Sequence, residues 1–408
     1  MICLITVAVD GSLTAQTAAI SVSAGSVAPN GFVSLNVNLQ AGGGAQPVAV
    51  QWDTIYSTGD LAPVAGAYYL TGEAANASGK QASCNIVAAG DIRCLIVGFD
   101  TFEISDGVLA TLFLQIAPGT GAISTFVNLT GAMGVDSSTN LMILTASGAT
   151  VNISNAIPLS AQTPVIFSLV NAASYADEGG CSPGAAATLF GANLAPSTQS
   201  AGAGSLPTEL NGVRVSANGA YLPLFYVSEF QLNFQCPVLA PGDALVVIVE
   251  NAAGSSAPFA SKILCAAPGI FSLYGTGGGQ GAILIANSPN IAMQHVDGMP
   301  SQPARPGDFV SIYATGLGPV NLPVPAGQPA PLDPLAKTDA PIQVLIGGLN
   351  AAVQFAGLAP GSVALYQVNA KVPGTAVAEN IVPVQISVNL PDGSVAKSNV
   401  VTIGTKAN

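Results

Sequence analysis

Charge is scarce in this chain. Of its 408 residues only 9 are Lys or Arg and 21 are Asp or Glu, so charged side chains make up 7 %, against about 25 % in an ordinary soluble domain. Nucleic-acid binding draws its affinity from clustered cations that neutralise phosphates, and a scattered handful cannot supply that. The same shortage argues against attraction to anionic membrane surfaces. Histidine is present once, as His295. No apolar run approaches the ~18 residues that cross a bilayer, so no membrane span is expected. Lys and Glu, the usual solvated surface of helices, are nearly missing.

Apolar residues, by contrast, reach 50 %, with 46 Gly and 29 Pro. That hydrophobicity excludes disorder and supports sizeable cores. Ser, Thr, Asn, Gln and Gly must carry solubility. Short polar residues alternating with Val, Ile and Leu are the pattern of half-buried strands, so the chain reads as all-β. At ~150 residues per domain, its length suggests two to four domains.

Residues 1–17 open with Met1 to Val9, apolar, followed by small polar residues up to Gln16-Thr17. This has the apolar core and cleavage region of a secretory signal, without the usual basic start, since the first cation is Lys80. A secreted or cell-surface location is expected. The cysteines fit an oxidising compartment. Cys84 and Cys94 flank two short strands around an Ala-Gly-Asp turn and are expected to form a disulfide across that hairpin.

A first unit spans 18–154. Val33, Leu35, Val37 and Leu39 alternate with Ser34, Asn36 and Asn38, giving a strand with one buried face. Further strands are expected at 48–56, 93–99, 108–116, 126–129, 142–145 and 150–153, separated by turn residues, as in a sandwich. Residues 155–165 read as a linker.

The remainder repeats itself. Pro183-Gly184 through Leu194-Ala-Pro196 aligns without gaps on Pro306-Gly307 through Leu317-Gly-Pro319, and Gln231-Leu-Asn233 on Gln367-Val-Asn369. The two copies occupy 166–267 and 268–404, each long enough for an immunoglobulin-like sandwich of about 100 residues. Cys181 precedes the early strand of the first copy and Cys236 ends its late strand. Ala304 and Val372 replace both in the second copy, so Cys181 with Cys236 is the favoured second disulfide, leaving Cys265 free.

The first unit resembles a cohesin-like domain, a jelly-roll sandwich of the carbohydrate-binding-module type. The residues that carry this are Val50-Gln-Trp52-Asp53-Thr-Ile-Tyr56 with Leu61, and Ser105-Asp106-Gly107-Val108-Leu109-Ala110-Thr111-Leu112-Phe113. The remainder is similar to a duplicated C-terminal module of secreted acidobacterial proteins, whose halves resemble IPT/TIG immunoglobulin-like domains. Asn171-Ala-Ala-Ser174-Tyr175, Arg305-Pro-Gly-Asp308 and Tyr313-Ala-Thr-Gly316 are among the matching segments. The resemblances imply three β-sandwich domains, one cohesin-like followed by two immunoglobulin-like. They also imply a non-catalytic adhesion or scaffold protein that docks an extracellular, dockerin-like protein or a polysaccharide. The alternatives are a carbohydrate-binding protein of polysaccharide catabolism and a purely structural envelope component.

No catalytic constellation is expected. Nucleophilic hydrolysis needs a base beside the nucleophile, and a lone loop histidine is ordinarily just solvated. Asp100, Glu103 and Asp106 cluster, but Asp favours turns; as a glycosidase pair (Asp100 with Asp106) or as calcium ligands they are weak candidates. Gly275 to Gly281 lacks the Lys-Ser/Thr of a phosphate loop and reads as a flexible loop. No cofactor is expected. Trp52, Tyr56, Tyr68 and Tyr69 are the candidate binding residues, as a sugar-stacking platform. Trp52 and Tyr56 share one strand face and suit the core better. Tyr68 and Tyr69 should point to opposite faces, leaving at least one for contact.

Overall fold

The computed structural model describes residues 18–26, 31–41, 46–64, 68–98, 101–117, 120–153, 163–176, 181–374 and 379–406. The expected signal segment 1–17, most of the 155–165 linker and Asp100 lie outside the described residues. Among the described residues, strands build the structure, with one five-residue helix, Glu73–Ala77, whose Ala74 and Ala75 plug the first core.

Two sheets enclose that first core. A six-stranded sheet is centred on Phe32–Gln40 paired with Gly107–Ile116. Val33, Leu35, Val37 and Leu39 point inward as the alternation requires, facing Trp52, Ile92, Cys94, Ile96, Val127 and Leu129 of the second sheet. That seven-stranded sheet runs through Ser124–Val135, Ala49–Ile55, Asp91–Val97 and, at its edge, Gln81–Ala88. Cys84 and Cys94 stand opposite each other in the last pair and are disulfide-bonded; Gly90, at φ +79°, turns the hairpin.

The second core, from Leu169 to Ile263, lies between two five-stranded sheets. Ala186–Ala192 pairs with Val165–Asn171 on one side and with Gln231–Gln235 on the other. A disulfide joins Cys181 to Cys236. The third core, Ala266 to Ile403, is wrapped by one eleven-stranded sheet rather than by two separate ones. The reason is a single long strand, Leu349–Leu358. One end pairs with Ile342–Ile346, the other with Tyr366–Lys371, and a bulge between Val353 and Phe355 bends it around the core.

The internal repeat is visible in side-chain chemistry. Thr188 Oγ1 donates to Asn233 Oδ1 at 3.1 Å, and Gln231 Nε2 donates to the same oxygen at 2.8 Å. Ser311 Oγ and Gln367 Nε2 donate to Asn369 Oδ1 at 3.1 and 2.8 Å. The Gln-x-Asn strand thus binds its early-strand neighbour identically in both copies.

Between the first and second cores lies a small apolar cluster: Phe32, Val64 and Phe113 against Val165 and Ala192, with Phe167 and Phe230 packed on it. Phe32 and Phe113 project from the outer face of the six-stranded sheet, which the second core's first strand therefore occupies.

The loop 275–281 is held rather than free. Ser272 Oγ accepts from the Thr276 and Gly277 amides, and Asn399 Nδ2 donates to the Gly277 carbonyl. A Cβ on Gly277 would lie 2.7 Å from the Ser174 carbonyl oxygen, and one on Gly278 would lie 2.7 Å from Gln81 Nε2. Small residues are needed there because the loop passes close to both other cores.

Candidate functional site

Trp52 and Tyr56, read from the sequence as possible sugar-binding residues, sit in the core instead. Trp52 is 0 % exposed and donates its indole N–H to Thr54 Oγ1 at 3.1 Å, which satisfies the polar tip where water is excluded. Tyr56 is buried beside it. Tyr68 and Tyr69 do not diverge to opposite faces. The strand begins only at Tyr69, so two-residue alternation does not reach back to Tyr68. Both rings pack against the core, edge to face at 5.2 Å, and the Tyr68 hydroxyl donates to the Cys84 carbonyl at 2.7 Å. The four aromatics do not form an exposed platform.

Of the acidic cluster, Asp106 Oδ1 accepts from the Ala41 amide at 2.7 Å and Glu103 Oε1 from Ser137 Oγ at 3.2 Å. Each ties one loop to another. No group of three potential metal ligands occurs among the described residues. His295 is exposed on a turn, with Nε2 3.3 Å from Asp297 Oδ1.

A surface that the sequence reading passed over stands out on the seven-stranded sheet. The strand pairings align Ile143, Met133, Gln51, Leu95 and Ser83 across its outer face. Ile143 is 62 % exposed, Met133 39 % and Leu95 36 %. Leu141 and Val97 extend the patch on one side, and Ile55 and Phe126 lie toward the other end. Clustered apolar side chains on a solvent-facing sheet are a feature that interaction surfaces share.

Through this apolar surface runs one polar row, Thr130, Asp53, Arg93 and Asn85. Arg93 donates Nε and Nη2 to the two Asp53 oxygens at 2.7 and 2.8 Å, a forked pair that fixes the guanidinium plane. The hydrogen bond and charge of Asp53 raise the Arg93 pKa. At the end of the neighbouring row, burial and then the Asp53 carboxylate push the Asp91 carboxyl above the usual carboxylate range, against a smaller pull from Arg93. Asp91 Oδ1 is buried with no hydrogen-bond partner among the described residues.

The signal for this surface was present in sequence. Cys94-Leu-Ile-Val97 and Leu141-Met-Ile143 are apolar at successive positions, so in a strand both faces are apolar and one of them is not the core.

No protein-family model matches the chain, and comparison with curated proteins returns no match. Among solved structures, it is similar to the sixth cohesin of Acetivibrio cellulolyticus scaffoldin B in complex with a dockerin. That match is 17 % identical, covers 34 % of this chain and 99 % of that one, and has a TM-score of 0.30. It is also similar to the cohesin module of a Clostridium perfringens family 33 glycoside hydrolase (16 % identity, 36 % and 100 % coverage, TM-score 0.30). A non-cellulosomal cohesin of the archaeon Archaeoglobus fulgidus gives 14 % identity, 34 % and 91 % coverage and a TM-score of 0.27. At these scores none of the likenesses assigns a function to this chain.

Proposed function

We propose that this is a non-catalytic docking protein of the cell surface or exterior, whose first unit binds another protein through the outer face of its seven-stranded sheet. The second and third units, 166–267 and 268–404, serve as immunoglobulin-like spacers or anchors behind it. The observation that carries this reading is a pairing of facts about the first unit. Its six-stranded sheet is occupied on the outside by the second core, whereas the opposite face presents Leu95, Met133, Leu141 and Ile143 to solvent.

The chemistry of that face favours a protein over a polysaccharide. Protein interface cores are enriched in Met, Arg and apolar side chains around few polar contacts. Here Met133 and several aliphatic residues flank a single Arg93–Asp53 pair. A glycan would call for flat aromatic faces, and among the described residues Phe126 is the aromatic side chain that this surface exposes. A dockerin-like protein, expected from the sequence resemblance, is one such partner. The disulfides Cys84–Cys94 and Cys181–Cys236 suit an exported chain. Glu103 and Asp106, occupied in loop contacts, support a non-catalytic role.

The test starts from the full chain immobilised and exposed to proteins exported by the same cells. A retained protein is then identified, purified and titrated by calorimetry. Leu95→Asp places an unpaired charge in the desolvated centre of the patch and should weaken binding at least about tenfold, an effect of about 1.4 kcal/mol or more. Affinity unchanged by Leu95→Asp would remove this surface from the account.

A further inference from the structure

A recess lies on the other side of the first unit, where its six-stranded sheet meets the second core. It is a cleft of about 270 Å³. One wall is the outer face of the sheet: Ser34 beside Phe113, and Asn36 beside Thr111, pairs set by the strand register. The other wall comes from the second unit and includes Ser168, Tyr175 and Ser261, together with Phe167 and Phe259. Among the described residues the lining holds no Asp, Glu, Lys, Arg or His.

One feature marks the cleft as more than a packing gap. Tyr175 is held at φ +58°, a left-handed conformation unfavourable for a bulky residue. Asn171 enforces it. Its carbonyl accepts from the Tyr175 amide at 2.9 Å, while its Oδ1 accepts from the Ala173 and Ser174 amides. The strained backbone seats an aromatic ring on the cleft.

We propose that this cleft binds one neutral pyranose ring, held between the first and second units. The lining selects that chemistry by exclusion. An ionic ligand would meet no counter-charge among the described lining residues. A wholly apolar one would offer nothing to the hydroxyls of Ser34 and Ser261. A sugar carries hydroxyls at its rim and C–H groups on its faces, matching a lining of hydroxyl and aromatic side chains. Thr111 Oγ1 donates to Asn36 Oδ1 at 2.9 Å, which orients the amide so that its nitrogen is the donor on offer. The volume is at the small end of ligand pockets, which run roughly 300–1,000 Å³, and takes a single ring. This site is independent of the docking face on the opposite sheet, and a bound sugar would bridge two units.

The experiment is titration of the full chain with D-glucose, D-galactose, D-mannose, D-xylose and N-acetyl-D-glucosamine, followed by saturation-transfer NMR and calorimetry. D-glucuronate serves as the charged probe. At least one neutral sugar should saturate. Ser34→Trp, at an exposed position where folding tolerates it, should fill the cleft and weaken binding at least about tenfold. Thr111→Val keeps the shape, removes one hydroxyl and should weaken it about fivefold. Leu95→Asp should change nothing. Tighter binding of the matching disaccharide makes the ring the end of a glycan, and equal affinity makes it a free sugar; either upholds the site. Three results would overturn it: no neutral sugar bound at about 50 mM, binding that both cleft variants leave intact, or preference for D-glucuronate over D-glucose.

Discussion

Phe113 of the first unit and Phe167 of the second stack with ring centroids 5.0 Å apart and 19° between their planes. Phe32 closes on the same Phe167 ring at 5.0 Å. This contact couples two cores and leaves the opposite sheet of the first unit as its free face. Phe167→Ala should cost about 2–3 kcal/mol, somewhat below a fully buried phenylalanine because Phe167 is only partly buried. Calorimetry should then resolve separate transitions for the two units, and small-angle scattering should show a larger radius of gyration. A single, unshifted transition would mean that the units are held together elsewhere.

The two disulfides should contribute unequally. Cys84 and Cys94 are 10 residues apart in sequence, Cys181 and Cys236 are 55 apart. On the loop-entropy account, the shorter loop contributes about 2.7 kcal/mol and the longer about 4.2 kcal/mol. Double alanine replacement of each pair, compared by urea denaturation, tests this. Cys181/Cys236 should be the more damaging loss. The reverse order would show that the second core stabilises itself without its cross-link.

Asp91 should make the protein less stable as it ionises. Its folded pKa lies above the unfolded value, because burial and Asp53 disfavour the charge. The penalty is absent below the ordinary Asp range, where both states are protonated, and grows as pH rises from there to the folded value. Asp91→Asn is therefore expected to melt higher than the parent at pH 7, with the difference closing on acidification below the ordinary carboxylate range. A variant that melts lower at pH 7, or whose advantage grows in acid, would contradict the assignment.

Much of the fold was legible because strand periodicity is local. Val33, Leu35, Val37 and Leu39 announced one buried face, and Trp52 and Tyr56, four apart, announced another. The duplicated Gln-x-Asn segments pointed to repeated architecture, and the structure shows why they recur: Asn233 and Asn369 each gather two donors from neighbouring side chains. Alternation failed at Tyr68, which precedes its strand, and glycine content misjudged the 275–281 loop, whose small residues serve close packing. The exposed apolar face was encoded in runs such as Cys94 to Val97, yet an apolar run does not say which face lacks a cover. The sugar cleft was not legible at all. Ser34 and Ser261 meet only through the placement of two units, and no local pattern records that.

The central claim is contact through the aliphatic face of the seven-stranded sheet. Its most direct measurement is site-specific photo-crosslinking with a benzophenone amino acid at position 143, and separately at Leu332 of the third unit, which is 75 % exposed. With exported proteins present, the account predicts that position 143 captures one discrete protein, that Leu95→Asp abolishes the adduct, and that position 332 captures none. An adduct at 332, or none at 143, would contradict it.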